Sequence, residues 1–213
     1  MEQEKLAQKY SAGEEKLNFL THAAGVVLFL ASGWKLFAGN GALSSKPLLF
    51  ALIFYWFALI FMFGASALYH LAKSEHAKQI GRKFDHCAIY ILITGTYAPL
   101  VTGILADWRG FAVLGTLLVL TAAGVVIKFC CAGKFHRLEV ALYLLMGWLC
   151  LLVIKPLIAG FPAGGFKWLI SGGVVYTAGV VFYAVRKEFF HAIWHVFVLA
   201  GAWLQFMAVL SIR

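Results

Sequence analysis

Residues 48–63 read LLFALIFYWFALIFMF, 16 consecutive residues without a charged side chain. Apolar side chains do not alternate with polar ones here, as they would on a transmembrane β-strand. About 20 apolar residues are enough for an α-helix to cross the hydrocarbon core of a bilayer. The stretch therefore predicts a membrane-spanning helix, and comparable stretches recur along the chain.

The composition of the whole chain indicates the same class of protein. Of its 213 residues, 62% are hydrophobic and only 13% are charged. Too few polar residues remain to cover the surface of a soluble domain. The net charge of +9 does not indicate nucleic-acid binding, because no basic patch with interleaved aromatic residues accompanies it. We expect an all-α integral membrane protein that is surrounded by lipid and has no nucleic-acid partner.

Seven apolar segments divide the chain, and each approaches the length of a spanning helix. The fifth is the shortest, since Glu139 and Lys155 leave 15 residues between them. Lys155 can extend its ammonium group to the membrane surface, and so can Lys128 at the end of the fourth segment. We predict one seven-helix membrane domain over residues 1–213, of which 1–17 form a cytoplasmic N-terminal segment. The segments are 19–38, 48–71, 86–106, 111–132, 140–158, 168–185 and 189–212.

The loop charges predict the orientation of this bundle. Loops on the side of the N-terminus carry 12 Lys and Arg residues, and loops on the other side carry 6. The positive-inside rule then places the N-terminus in the cytoplasm and the C-terminus outside. The acidic residues among 1–17 are not typical of a signal peptide, so we expect the first helix to be retained. The predicted location is the cytoplasmic (inner) membrane, with several crossings.

Ionisable residues at the ends of membrane segments are expensive and indicate function. His70 ends the second segment, with Ser66 one turn before it, and Asp85 begins the third. His191 and His195 begin the last segment. In the predicted orientation all of these residues lie in the cytoplasmic leaflet. Because the orientation depends only on Lys and Arg, this agreement is an independent argument that they form one site.

The spacing of the histidines is typical of a metal site. Residues four apart share a helical face, so His191 and His195 can direct two imidazoles to one point. With His70 they supply the three protein ligands of a catalytic zinc site whose fourth position stays open. Magnesium and calcium are disfavoured, because these hard cations prefer oxygen ligands to imidazole, whereas the sequence does not distinguish zinc from copper or iron. Bis-histidine haem ligation is disfavoured, because it needs ligands on facing helices.

The chain resembles the hemolysin III proteins, the bacterial branch of the progestin and adipoQ receptor family. The resemblance covers nearly the whole length. It implies a seven-helix bundle in which His70, His191 and His195 bind zinc, with Ser66 and Asp85 near the metal. It also implies kinship with ceramidase-like membrane amide hydrolases. The matching patterns are Glu15-Lys-Leu-Asn18 with Thr21-His22, Ser66-Ala-Leu-Tyr-His70, Lys83-Phe-Asp85-His86-Cys-Ala-Ile-Tyr90, Gly95-Thr-Tyr-Ala-Pro99 and His191-Ala-Ile-Trp-His195.

Two functions are compatible with these residues. The first is a zinc-dependent hydrolase that acts on a lipid amide or ester in the cytoplasmic leaflet. In it Asp85 is the general base, and Ser66 orients water or stabilises an oxyanion. The second is a non-enzymatic membrane regulator or sensor of lipid state, with a structural zinc ion. Structural zinc sites usually have a fourth protein ligand, and Cys87 is the only cysteine expected at the cytoplasmic end near the three histidines.

Two further histidines and the cysteines have simpler interpretations. We expect His22 to be an interfacial residue rather than a partner of the metal ligands. For His86 we favour an outer-shell or interfacial role, because neighbours on a helix point about 100° apart and Asp85 faces the site. The four cysteines show no metal-binding spacing, and we interpret them as small buried apolar residues.

Overall fold

The computed structural model describes residues 10–38, 45–131, 136–162, 164–185 and 187–212. These residues form eight α-helices and two short 3-10 helices, and none of them lies in a β-strand. The 3-10 helices are Trp34–Leu36, which ends α1, and Leu149–Val153, which joins α5 to α6. The α-helices are α1 (Ala12–Gly33), α2 (Lys46–Leu71), α3 (Glu75–Gly103), α4 (Trp108–Cys130), α5 (His136–Gly147), α6 (Ile154–Gly160), α7 (Gly165–Ala184) and α8 (Phe190–Leu210).

Six helical stretches of the described residues are long and apolar enough to cross a membrane. The predicted multi-pass helical membrane protein is thereby confirmed at this level. The helix α3 is not among the six, although it is the longest at 29 residues. The six stretches are Ala12–Leu36, Lys46–Leu71, Trp108–Cys130, Leu138–Gly160, Gly165–Ala184 and Phe190–Leu210.

Two helices begin well before the apolar segments that predicted them. The helix α1 starts at Ala12 because Ser11 and Glu14 form a capping box, in which each side chain accepts the other's backbone N–H. The helix α3 starts at Glu75, where the Ser74 side chain accepts the N–H of Ala77. Caps end or begin helices independently of hydrophobicity. Asp85 therefore lies within α3 and not at its start.

The fifth predicted segment is broken in the middle. After α5 ends at Gly147 the chain forms a 3-10 turn, and α6 begins at Ile154. The Tyr97 hydroxyl donates to the carbonyl of Gly147 and accepts the N–H of Cys150, both at 2.8 Å. A neighbouring helix thus satisfies backbone groups that the break leaves without helical partners, as apolar surroundings demand.

Lys128 does not reach the membrane surface, so the prediction that it extends outward is wrong. Its side chain is 4% exposed and its Nζ atom lies 2.9 and 3.0 Å from the two carboxylate oxygens of Glu139. It also lies 2.7 Å from Nδ1 of His86. A buried ammonium is stable only when it is paired and hydrogen-bonded. The three side chains therefore link α3, α4 and α5 from within.

The start of α1, the end of α2 and the start of α8 lie close together at one end of the bundle. The helix α1 packs against both α2 and α8. Its Glu14 carboxylate accepts the backbone N–H of Phe189, at 2.8 Å, directly before α8. Phe189 adopts a left-handed conformation with a φ of 62°, which only the surrounding contacts can maintain for a non-glycine residue. This contact fixes the start of α8 against the start of α1, close to the end of α2.

Candidate metal centre

Three histidines from two helices meet at this end of the bundle. His70 lies in the last turn of α2, and His191 and His195 occupy the first turns of α8. One ligand nitrogen of each histidine lies within 4.8 Å of those of the other two. His70 and His195 are buried. The structure therefore brings together the three residues predicted to bind metal.

The geometry of these nitrogens fits a zinc ion. The Nε2 atoms of His191 and His195 are 3.1 Å apart. Two nitrogens that each bind a tetrahedral zinc ion at about 2.0–2.1 Å lie about 3.3 Å from each other. The Nε2 atom of His70 is buried and has no hydrogen-bond partner among the described residues. Such an atom is costly unless a ligand uses its lone pair, and the donor set thus fits a metal with imidazole ligands.

The outer nitrogens of two of these rings contact α1. Nδ1 of His70 lies 2.7 Å from a carboxylate oxygen of Glu15, which also pairs with Lys78. Nδ1 of His195 lies 3.2 Å from the backbone carbonyl oxygen of Asn18 and 3.2 Å from the hydroxyl oxygen of Thr21. In both rings the nitrogen that faces away from α1 is therefore the one directed to the cluster.

The two residues predicted to assist the metal lie on different helices. The Ser66 side chain is fully buried one turn before His70, and its hydroxyl has no partner among the described residues. Asp85 lies on α3 and lines a cavity together with His191 and His195. Asp85 therefore lines the same cavity as two of the three histidines, whereas Ser66 shares the helical face of the third, His70.

This cavity is long and mainly apolar. On α8 it is lined from His191 to Gln205, a separation of 14 residues that corresponds to about 21 Å along a helix. Most of the other lining residues lie on α3, α5 and α7, and among them are Ile89, Leu144 and Val180. A mainly apolar cavity whose lining includes histidines and one aspartate suits a molecule with a polar group and a long hydrocarbon tail.

His22 is not an interfacial residue, so that prediction is wrong. It is 3% exposed, and its ring stacks on that of His195 with centroids 3.6 Å apart. Its position follows from the helical spacing of α1, because residues 15, 18 and 22 share one face. His86 is also buried, where Nδ1 lies 3.0 Å from a carboxylate oxygen of Glu139, and it borders the cavity. Its position agrees with an outer-shell role.

Tyr10 contacts the histidine cluster, although the sequence did not predict that it would. Its ring centroid lies 4.8 Å from that of His191 and 5.7 Å from that of His70, so the phenol covers the cluster ahead of α1. Burial raises the pKa of Tyr10 well above its ordinary value of 10.0, and the phenol stays neutral at physiological pH. No spacing rule connects this residue to the histidines, because the contact depends on how α1 packs between α2 and α8.

The chain is similar to a known protein family and to several known proteins. A family model described as Haemolysin-III related matches residues 10–206. The chain belongs to the haemolysin-III-related family. It is 36% identical over 204 residues to Hemolysin-3 homolog of Bacillus subtilis (strain 168), a match that covers 94% of this chain and 95% of the relative. These matches confirm the resemblance to the hemolysin III proteins.

Two further relatives show the breadth of this family. Hemolysin-3 of Bacillus cereus is 31% identical over 198 residues, which cover 92% of this chain and 90% of the relative. Monocyte to macrophage differentiation factor of Homo sapiens is 29% identical over 170 residues, 73% of this chain and 67% of the relative. The haemolysin-III-related chain described here is therefore similar both to bacterial proteins and to a mammalian one.

Proposed function

We propose that this haemolysin-III-related protein is a zinc-dependent membrane hydrolase that acts on a lipid amide or ester. The observation that carries the proposal is the cavity. It begins at His191 and His195, includes the carboxylate of Asp85 and continues for about 21 Å between apolar walls, by the helical rise from His191 to Gln205. A hydrolase for lipids needs these features in this order: reactive groups at one end and an apolar channel for a hydrocarbon chain.

The proposed topology accounts for the location of the substrate. With α3 as an additional crossing, the chain spans the cytoplasmic membrane seven times, from a cytoplasmic N-terminus to an external C-terminus. The excess of Lys and Arg on the side of the N-terminus supports this orientation. The histidines then lie in the cytoplasmic leaflet. A lipid in that leaflet can place its head group at the histidines and its tail in the cavity.

His70, His191 and His195 are the residues that would hold the zinc ion. A zinc ion with three imidazole ligands supplies Lewis acidity, and in such sites it lowers the pKa of water to about 7. Other divalent metals accept imidazole ligands as well, so metal analysis has to identify the ion. The remaining chemistry belongs to the side chains of this chain.

Asp85 is the proposed general base. Asp85 lines the same cavity as His191 and His195, and its carboxylate there accepts the proton that water loses when its oxygen attacks the carbonyl carbon of the lipid. The same carboxyl group then returns this proton to the leaving amine or alkoxide as the amide or ester bond breaks. Proton transfer by a positioned side chain contributes about 10²–10⁴-fold to the rate.

Ser66 is the proposed hydrogen-bond partner of the carbonyl oxygen of the lipid or of the attacking water. Its hydroxyl is fully buried and has no partner among the described residues, although a buried hydroxyl normally forms a hydrogen bond. It shares a helical face with His70. It therefore donates a hydrogen bond to the carbonyl oxygen as negative charge develops there, or orients the attacking water.

Metal analysis followed by a turnover screen tests the proposal. The full-length protein is purified in lipid nanodiscs, its metal content is measured, and hydrolysis of ceramides, other N-acyl lipids and phospholipids is followed by mass spectrometry. We expect about one zinc ion per chain and hydrolysis that is lost in His191→Ala. Zinc-loaded protein without turnover on any of these lipids would overturn the hydrolase and favour the regulator with a structural zinc ion.

A further inference from the structure

Three groups on α1 surround the outer nitrogens of two of the clustered histidines. Glu15, Asn18 and Thr21 follow one another at intervals of three residues and lie on neighbouring positions of one helical face. Glu15 contacts His70, and both Asn18 and Thr21 contact His195. No predicted role in the proposed reaction uses these three residues.

The partner of His195 determines which of its nitrogens carries the proton. The carbonyl oxygen of Asn18 can only accept a hydrogen bond, and it lies 3.2 Å from Nδ1. The Thr21 hydroxyl lies 2.9 Å from both the Leu17 and Asn18 carbonyl oxygens, so its hydrogen is used there and its oxygen accepts. Nδ1 of His195 must therefore be the protonated nitrogen. Its Nε2 atom keeps the lone pair.

The same reasoning applies to His70. Glu15 pairs with Lys78 as well as with His70, and the ammonium group favours the ionised carboxylate. An ionised carboxylate accepts hydrogen bonds and cannot donate them. At 2.7 Å it therefore accepts the Nδ1 proton of His70. The buried Nε2 atom, which has no partner among the described residues, keeps the lone pair that a metal requires.

We infer that α1 is the positioning helix of the metal centre, with Glu15 acting on His70 and Thr21 together with the Asn18 carbonyl acting on His195. The inference rests on the proposed metal site but not on the hydrolase reaction. Partners of this kind fix the tautomer and the orientation of a ligand histidine, and their loss typically lowers metal affinity about 10–100-fold. The capping box of Ser11 and Glu14 and the contact of Glu14 with Phe189 maintain α1 in this place.

Substitutions of two acids, Glu15 on α1 and Glu75 on α3, test this inference. Zinc affinity of the purified full-length protein is measured by competition with a chelator, without any lipid substrate. Glu15→Leu removes the acceptor, and we expect its affinity to fall about 10–100-fold. Glu15→Gln keeps an accepting oxygen and loses only the charge, so it should recover part of the affinity. Glu75→Gln is the control, since Glu75 is exposed at the start of α3 and contributes nothing to the position of α1, and its affinity should be unchanged.

Two further measurements separate positioning from general stabilisation. A cobalt ion bound in place of zinc reports the ligand geometry by its visible spectrum, and Glu15→Leu should change this spectrum while Glu75→Gln should not. A purely structural role would instead lower the unfolding temperature of the metal-free protein and leave the cobalt spectrum unchanged. That result, or an unchanged zinc affinity in Glu15→Leu, would overturn the inference.

Thr21 gives an independent test on the second histidine. Thr21→Val keeps the shape of the side chain and removes the hydroxyl, but the Asn18 carbonyl stays in place. We expect a smaller loss of zinc affinity than in Glu15→Leu. Thr116→Val is the matched control, because its hydroxyl makes the same intrahelical bond on an exposed part of α4. Wild-type affinity in Thr21→Val would remove Thr21 from the inference. Absence of turnover with intact zinc binding would refute only the hydrolase.

Discussion

His22 stacks on His195, with ring centroids 3.6 Å apart and ring planes within 17° of parallel. Both ring nitrogens of His22 are buried and have no hydrogen-bond partner among the described residues. The stack places a third element, α1, against the face of the ring of His195, a proposed metal ligand. It limits rotation of that ring, which the contacts at its Nδ1 atom also restrict.

This contact predicts that His22 supports the site by its shape and does not bind the metal. His22→Phe retains a stacked aromatic ring, so we expect full zinc content and little change in affinity. His22→Ala removes the ring and leaves a cavity beside His195, which should lower the unfolding temperature and the zinc affinity together. Metal analysis and thermal unfolding measure both effects. Loss of zinc in His22→Phe would mean that a nitrogen of His22 is needed.

Removal of the metal should destabilise the protein, and this effect should require all three clustered histidines and no other histidine. A ligand that binds only the folded state stabilises it by about 2.7 kcal/mol when its concentration is 100 times its dissociation constant. We expect zinc to raise the unfolding temperature of the wild type and not that of His70→Ala, His191→Ala or His195→Ala. His76→Ala is the control, since His76 is exposed on α3. Full zinc content in His191→Ala would exclude His191 as a ligand.

Substitution of Asp85 shows whether its carboxylate acts as a general base or only orients other groups at the site. Asp85→Asn retains hydrogen-bonding capacity but cannot accept the proton, so turnover should fall about 10²–10⁴-fold while zinc is retained. The matched control is Asp107→Asn. Asp107 caps α4 by accepting the N–H groups of Arg109 and Gly110, and asparagine caps helices equally well. Rates are measured on the lipid that the turnover screen identifies. Undiminished turnover in zinc-loaded Asp85→Asn would end the proposed role of Asp85.

The sequence is sufficient to predict the three clustered histidines because residue spacing and loop charge can both be counted in it. The spacing of His191 and His195 gives them a common helical face, and the loop charges predict that the end of α2 with His70 lies in the same leaflet. Glu15 and Thr21 were not assigned roles, since nothing local shows that α1 packs between α2 and α8. Lys128 was misjudged for the same reason: its partner Glu139 comes from a helix whose position only the tertiary structure gives.

The crossing by α3 is testable through the two linkers that flank it. Lys73 precedes α3 and Ala106 follows it, and both are exposed. A single cysteine introduced at Lys73 should react with a membrane-impermeant reagent only from the cytoplasmic side, and one at Ala106 only from the outside. The background replaces Cys130 and Cys131 by serine, while the buried Cys87 and Cys150 are retained. Labelling of both positions from one side would mean that α3 does not cross.

The buried ion pair of Lys128 and Glu139 should contribute more to stability than an exposed pair. Their side chains are 4% and 6% exposed, whereas those of Arg109 and Asp107 are 52% and 37% exposed. Removing one partner of a buried pair leaves an uncompensated charge and costs about 3–5 kcal/mol, whereas solvent screens most of the attraction within an exposed pair.

Lys128→Met should therefore destabilise the protein strongly, and Arg109→Met, its control, only slightly. Replacing both members of the buried pair, as Lys128→Met with Glu139→Leu, removes both charges at once. Its loss of stability should be smaller than the sum of the two single losses, because neither charge is left alone. Unfolding in denaturant or in a thermal scan, with zinc at a fixed concentration, measures the stability of the single variants Lys128→Met, Glu139→Leu and Arg109→Met and of the double variant. Additive losses would mean that the two charges do not interact, contrary to the 2.9 Å contact between them.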